Sequence, residues 1–285
     1  ILSLLAMSQV SGAATGDKII YGVDNRKDVF QVKNKALLEV ASATAAMVPH
    51  WKAELYQKGT MASSLMKMLS LQGSMNVCAG ERFASQPAIA NCSGFLVNET
   101  TLVTAGHCIN ETSGCEEYAW VFDYNLSSSA MEQPLLKSNN VYSCARVVRS
   151  ILDPVTQMDY AVVELDRPVV DRKPLKFRRS GRIAMETPLV VIGHPSGLPT
   201  KIADGARVME YKNNVFFRTN LDTYGGNSGS AVFNAKTLEV EGILVRGARD
   251  YVETLDGCNV SNVVPVDAAT EAVTVITNVK EIKKL

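Results

Sequence analysis

What the sequence lacks narrows its reading first. It has no surplus of either charge, 29 Lys and Arg standing against 29 Asp and Glu in 285 residues. Its densest basic cluster, Arg172, Lys173, Lys176, Arg178 and Arg179, falls in a linker-like stretch and reads as a solvated face. Without a basic stripe there is no electrostatic footprint for nucleic acid or an anionic membrane. No stretch reaches membrane-spanning length. No Cys-x-x-Cys occurs, and His107 directly before Cys108 is not metal-ligand spacing, so neither a metal nor another cofactor is expected. There is no internal repeat, and a hydrophobic fraction of 46% excludes a disordered chain and suffices for a large core.

The first residues read as targeting information. The apolar run Ile1 to Met7 is followed by Ser11-Gly12-Ala13-Ala14, small residues suited to signal-peptidase cleavage. Residues 1–14 are therefore expected to be the remnant of a secretory signal, and the protein to be secreted or periplasmic. Six cysteines agree with export, where an even count usually means disulfides. Residues 15–77 read as an N-terminal extension. It holds two short strands, Ile19–Tyr21 and Asp28–Val32, and a Met-rich helical stretch from Trp51 to Met75. That stretch is expected to pack against a core, or else to be a removable pro-segment.

From Cys78 onward the texture is all-β, with short apolar or alternating runs between turn residues. The Pro- and charge-rich stretch Asp166 to Gly181 is the best internal boundary. It leaves one β unit over 78–180 and another over 181–285.

Three local signals carry chemistry. Gly225-Gly226-Asn227-Ser228-Gly229-Ser230 sets a serine among glycines, where the backbone can turn tightly and present its amides to a ligand. Thr104-Ala105-Gly106-His107-Cys108 ends a strand on a histidine, the commonest general base at neutral pH. Asp159 heads the apolar strand Tyr160 to Leu165, where a buried carboxylate must find a donor. Asp153 and Asp166 are rival carboxylates, but each lies within two residues of a proline and reads as a turn residue. His50 and His194 sit beside prolines and read as structural or exposed.

In the order His, Asp, Ser over two β halves, these signals resemble the chymotrypsin-like serine peptidases, in particular the secreted bacterial branch that includes the glutamyl endopeptidases. Cys92-Ser93-Gly94-Phe95-Leu96-Val97 followed by Leu102 to Cys108 is similar to that family's histidine region. Tyr21-Gly22-Val23-Asp24-Asn25-Arg26 is similar to the branch's N-terminal strand. The resemblance implies a double six-stranded antiparallel β-barrel with the active site between the barrels, protein or peptide substrates, and a disulfide between Cys92 and Cys108. It implies Ser228 as nucleophile, His107 as general base, Asp159 as the group orienting it, and the amides of Gly226 and Ser228 as the oxyanion hole.

Departures from the family are informative. No Ile-Val-Gly-Gly occurs, and Asn227 stands where animal-type relatives carry the Asp that pairs with the freed terminus, so trypsin-style activation is not expected. Asp222, six residues before Ser228 and next to Thr223, occupies the place of the carboxylate that selects Lys or Arg in trypsin-like enzymes. Leu244 stands where glutamyl endopeptidases place a histidine, while Arg246 offers a charge for an acidic side chain. Among Cys78, Cys115, Cys144 and Cys258 three pairings are possible; Cys115 with Cys144 is favoured as a staple of the first barrel, which leaves Cys78 with Cys258. The expected function is a secreted serine endopeptidase working through an acyl-enzyme. The alternatives are a catalytically silent binding protein of the same fold, or a latent precursor blocked by its N-terminal extension.

Overall fold

The period-2 pattern of apolar side chains decides the architecture, because the strands are apolar on both faces and each face needs its own cover. The computed structural model describes residues 19–59, 61–110, 114–130 and 133–285, so the expected signal remnant lies outside the described residues. The chain enters through β1 (Ile20–Tyr21) and β2 (Arg26–Asp28), then a helix, α1 (Lys35–Ala41), capped by the Asn34 side chain accepting from Ala36 N at 3.0 Å.

The first barrel consists of β3 (Thr44–Pro49), β4 (Cys92–Leu96), β5 (Thr101–Thr104), β6 (Tyr118–Phe122), β7 (Val141–Leu152) and β8 (Asp159–Leu165). It closes in the order β3-β4-β5-β8-β7-β6, all neighbours antiparallel. Ala45, Met47, Trp120 and Phe122 belong to the main core with Phe95 and Leu102. One residue out of phase, Ala46, Val48, Ala119 and Val121 form a separate outer cluster. That outer stripe is covered by Ala53 and Tyr56 of α2 (His50–Lys58), by Leu65 of α3 (Ser63–Met68), and by Leu69 beyond it.

The Met-rich stretch is helical and packs on the barrel as expected, while the start of the first barrel needs correction. The Met-rich stretch is three short helices, the third being α4 (Leu71–Met75), because Gly59 ends α2 in the left-handed region and the Ser70 hydroxyl caps α4, accepting from Gly73 N at 3.1 Å. More important, the first barrel begins at Thr44 rather than Cys78. Met47 on β3 lies opposite Cys92 on one side and Trp120 on the other, so β3 is the strand that closes the barrel. Its signal was weak because β3, Thr-Ala-Ala-Met-Val-Pro, carries alanine on both faces, Ala45 inward beside Trp120, Phe95 and Phe122 and Ala46 outward under the helices.

The second barrel consists of β9 (Pro188–Gly193), β10 (Lys201–Tyr211), β11 (Phe216–Thr219), β12 (Ala231–Asn234), β13 (Val240–Arg246) and β17 (Glu271–Val275); β14 (Tyr251–Glu253), β15 (Asn259–Ser261) and β16 (Val263–Val264) lie between the last two. Its order is β11-β17-β13-β12-β9-β10, with β10 pairing back onto β11. Leu189, Val191, Val232, Leu244 and Val273 fill its interior. Val190, Ile192, Ala231, Phe233 and Ile243 alternate with them and join the core of the first barrel. The two barrels thus share one apolar interface, with the linker after β8 crossing beside it. Together they form the double antiparallel barrel expected from the sequence.

The first two strands lie on the side of the second barrel. β2 pairs with β10, Asp28 opposite Lys201, and β1 runs parallel to β16. The buried Lys201 ammonium donates to Asp28 Oδ1 at 2.6 Å, Gln86 Oε1 at 2.8 Å and the Pro199 carbonyl at 3.0 Å, one acceptor for each proton. Burial pushes this ammonium down to about 8. The six cysteines stand in three pairs at disulfide distance, Cys78–Cys258, Cys92–Cys108 and Cys115–Cys144, with Cα–Cα separations of 5.0, 6.2 and 4.8 Å.

Because β3 is integral to the first barrel, a chain beginning at Cys78 is expected to show no cooperative unfolding transition, while one beginning at Ile19 keeps it. Thermal melts followed by near-ultraviolet circular dichroism compare the two directly.

Candidate active site

The site is assembled from a carboxylate outward. Asp159, 1% exposed, opens β8 at the edge of the first barrel. Across from it β5 ends, and the chain makes a single 3-10 turn over Gly106–Cys108. A Cβ on Gly106 would lie 2.0 Å from the Ile151 carbonyl, so only glycine lets this turn close against β7. The approach brings Gly106 N to 2.7 Å and His107 N to 3.1 Å of Asp159 Oδ1. The other oxygen, Oδ2, accepts from His107 Nδ1 at 2.8 Å. With Nδ1 carrying the proton, Nε2 keeps its lone pair, and a third of the ring remains exposed. The Cys92–Cys108 pair ties the far end of the turn to β4.

The serine loop comes from the second barrel and is pressed against the same strand. Gly229, at φ +87°, has no room for a Cβ, which would fall 2.1 Å from the Ser93 carbonyl and 2.2 Å from Thr104 Oγ1. The Ser228 carbonyl accepts from Ser93 N at 2.8 Å and lies 3.7 Å from Cys108 Sγ, beside His107. Ser93 Oγ donates to the Gly226 carbonyl at 2.8 Å and accepts from His194 N at 2.9 Å. On the other side Ser196 N donates to the Gly225 carbonyl, so the Gly226 N–H, on the opposite edge of that trans peptide, is turned away from Ser196. His107, Asp159, Ser228 and Gly226, named from sequence, are therefore brought to one place.

The residues expected to select substrate are placed differently. Asp222 is buried, and its two oxygens accept from Tyr21 N and Asn25 N, each at 2.7 Å. It holds the N-terminal segment and is not turned to a substrate. Thr223 is also buried; its amide donates to the Ile19 carbonyl at 3.2 Å and its hydroxyl to Glu271 Oε2. Leu244 is enclosed in the second barrel's interior among apolar side chains. Arg246 is re-aimed by a bulge between Leu244 and Arg246. Strict alternation would put it inside with Leu244, but the extra residue sets it opposite Ala272, on the face toward the first barrel. There its NH1 lies 3.7 Å from Asp159 Oδ2 and its NH2 donates to the Gln157 carbonyl at 3.0 Å.

Three residues of the site escaped the sequence reading. Ser93 is one, hidden inside a motif quoted for its neighbours. Glu271 is another: it is fully buried, and a side chain at Gly247 would land on its carboxylate. It carries the same signature as Asp159, a carboxylate heading an apolar strand. Arg26 is the third, with its guanidinium 4.2 Å from the centre of the Tyr224 ring and paired with Asp24 at 2.8 Å. His194 is buried against Tyr124, its Nδ1 3.0 Å from the Leu198 carbonyl, and burial pushes it down to about 3. It stays neutral and serves packing. Cys92, His107 and Cys108 lie close enough to share an ion, but the two sulfurs are joined to each other and cannot act as thiolate ligands.

A family description, the trypsin-like peptidase domain, matches residues 92–243. Among solved structures the chain is similar to the VesB protease of Vibrio cholerae, at 15% identity and a TM-score of 0.54, covering 93% of this chain and 66% of that one. It is likewise similar to a Glu endopeptidase, at 15% identity and a TM-score of 0.53, covering 93% and 98%. At this identity the likeness is one of fold. A search of curated proteins finds no match.

Burial raises the Asp222 carboxyl to about 6, against the opposing effect of its two amide donors. The folded chain then holds a proton that the unfolded chain releases near pH 4, so this group's contribution to stability falls as pH rises from about 4 to about 6. The loss is up to about 3 kcal/mol. Asp222→Asn removes the titration and is expected to flatten that part of the stability curve, measured by urea denaturation at pH 4, 5, 6 and 7.

Proposed function

Since the chain belongs to the trypsin-like peptidase family, whose domain spans more than half of its 285 residues, we propose that it is a serine endopeptidase cleaving protein or peptide substrates through an acyl-enzyme. The observation that carries this reading is the His107 ring, fixed by a buried Asp159, in a turn whose next residue, Cys108, has its Sγ 3.7 Å from the Ser228 carbonyl. Ser228 Oγ attacks the scissile carbonyl while His107 Nε2 takes its proton. Asp159, bonded to Nδ1–H, holds the ring in the tautomer that leaves Nε2 basic and stabilises the imidazolium once it forms. The amides of Gly226 and Ser228 receive the developing oxyanion, each worth about 3 kcal/mol. The imidazolium then protonates the leaving amine, and water repeats the sequence to release the acyl group.

Three disulfide-distance pairs accord with a secreted or periplasmic protein. The described part of the N-terminal region favours an active full chain over a blocked precursor. Its helices cover the outer face of the first barrel, β3 closes that barrel, and β2 adds to the edge of β10 in the second.

A fluorophosphonate probe tests the reading. Labelling of the full-length chain at unchanged mass, lost in Ser228→Ala, is the expected result, with Asp159→Asn slowed about 10⁴-fold. Labelling that waits for a fall in mass would instead favour the latent precursor. No labelling in either form would favour a silent binding protein.

A further inference from the structure

Arg246 is the one substrate-selecting candidate whose charged group reaches the proposed triad, and it does so from the other barrel. It ends β13, the strand tied to the serine loop by Gly229 N donating to the Leu244 carbonyl at 2.8 Å and Leu244 N to the Ser230 carbonyl at 3.0 Å. The bulge turns it toward the first barrel, where NH2 binds the Gln157 carbonyl two residues before Asp159. NH1 is then 3.7 Å from Oδ2, the same Asp159 oxygen that accepts the Nδ1–H of His107. The Phe216 ring lies 5.6 Å from the guanidinium carbon. Both nitrogen contacts are made with the segment that leads into Asp159.

Resting on the proposed triad, we infer that Arg246 is a positioning residue: it spans the barrels to hold the Asp159 carboxylate, and through it the His107 ring, and is not a receptor for substrate. A cation on Oδ2 has two effects. It favours a charged carboxylate over a neutral one, and it opposes a second positive charge on the ring that shares this oxygen. Arg218 is a second cation on this side of the sheet, its NH1 donating to the Ala269 carbonyl at 3.2 Å. It stands opposite Ala272 on β11 as Arg246 does on β13, and the small side chain between them leaves both guanidinium groups on one sheet face. The other ionisable groups around the pair, Tyr160 with Arg149 and Glu281, belong to the opposite face of β8. Thr274 Oγ1, from β17, donates to the Asp159 backbone carbonyl at 3.0 Å and adds no charge.

The test compares wild type, Arg246→Gln and Arg246→Lys by the pH dependence of fluorophosphonate labelling, which requires no known substrate, and by a nuclear magnetic resonance titration of His107. The chain has only three histidines, so its signal is assignable with His107→Ala as a blank. In Arg246→Gln both midpoints are expected to rise by about 0.5 to 1 pH unit, the effect of one charge beside a partly solvated pair, while Arg246→Lys stays near wild type. Unchanged midpoints in Arg246→Gln would overturn the inference. So would a change confined to the cleavage of peptides with acidic side chains, which would mark Arg246 as a substrate receptor. If wild type shows no Ser228-dependent labelling, the peptidase reading fails on its own, and the His107 titration still decides the role of Arg246.

Discussion

A carboxylate removed from water must be met on every side, and Asp159 meets that demand by organising its surroundings. Oδ1 takes two consecutive backbone amides, those of Gly106 and His107, and this fixes the turn that carries the histidine. Oδ2 takes the ring itself. Charge-assisted bonds of this kind are roughly twice as strong as neutral ones, and an unpaired charge at 1% exposure would be strongly destabilising. The placement of the imidazole thus follows from the need to satisfy the carboxylate. The glycine at 106 is required because a larger residue would hold the turn away from β7 and lengthen all three contacts.

The second constraint is the alignment of two barrels whose interface is mostly aliphatic and so has little directional preference of its own. Ser93 supplies direction. Its amide, hydroxyl and carbonyl bond Ser228, Gly226, His194 and Thr104, joining the serine loop to the strand that leads to the histidine. From the opposite side Ile19 to Arg26 grip the approach to the loop through Thr223, Asp222 and Tyr224. A neutral Asn227 stands before the serine, and its amide donates to the Tyr224 carbonyl at 2.9 Å. The loop is therefore ordered by backbone hydrogen bonds and by a docked N-terminal segment.

Much of this was legible in the sequence because it rests on local signals. The strand periods, the turn at Asp166 to Gly181, and the three short runs around His107, Asp159 and Ser228 are visible within ten residues of each chain position. What was not legible depends on distant partners. β3 shows only a weak strand signal because alanines occupy both of its faces. Asp222 was assigned to substrate because nothing near it in the sequence reveals amide donors about two hundred residues earlier. Arg246 was read as a charge for an acidic side chain, and the inserted residue that turns it toward the first barrel leaves no mark in the sequence. Glu271 shares the signature of Asp159 and could have been found by applying that rule to every strand.

The central claim is that Asp159 and His107 are arranged to activate Ser228. A crystal structure of the chain reacted with a phosphonate ester tests it most directly. The account predicts phosphorus bonded to Ser228 Oγ, its oxygen received by the amides of Gly226 and Ser228, and His107 Nε2 within hydrogen-bond distance while Nδ1 still donates to Asp159. Phosphorus on another side chain, or a phosphonyl oxygen turned away from those amides, would contradict it.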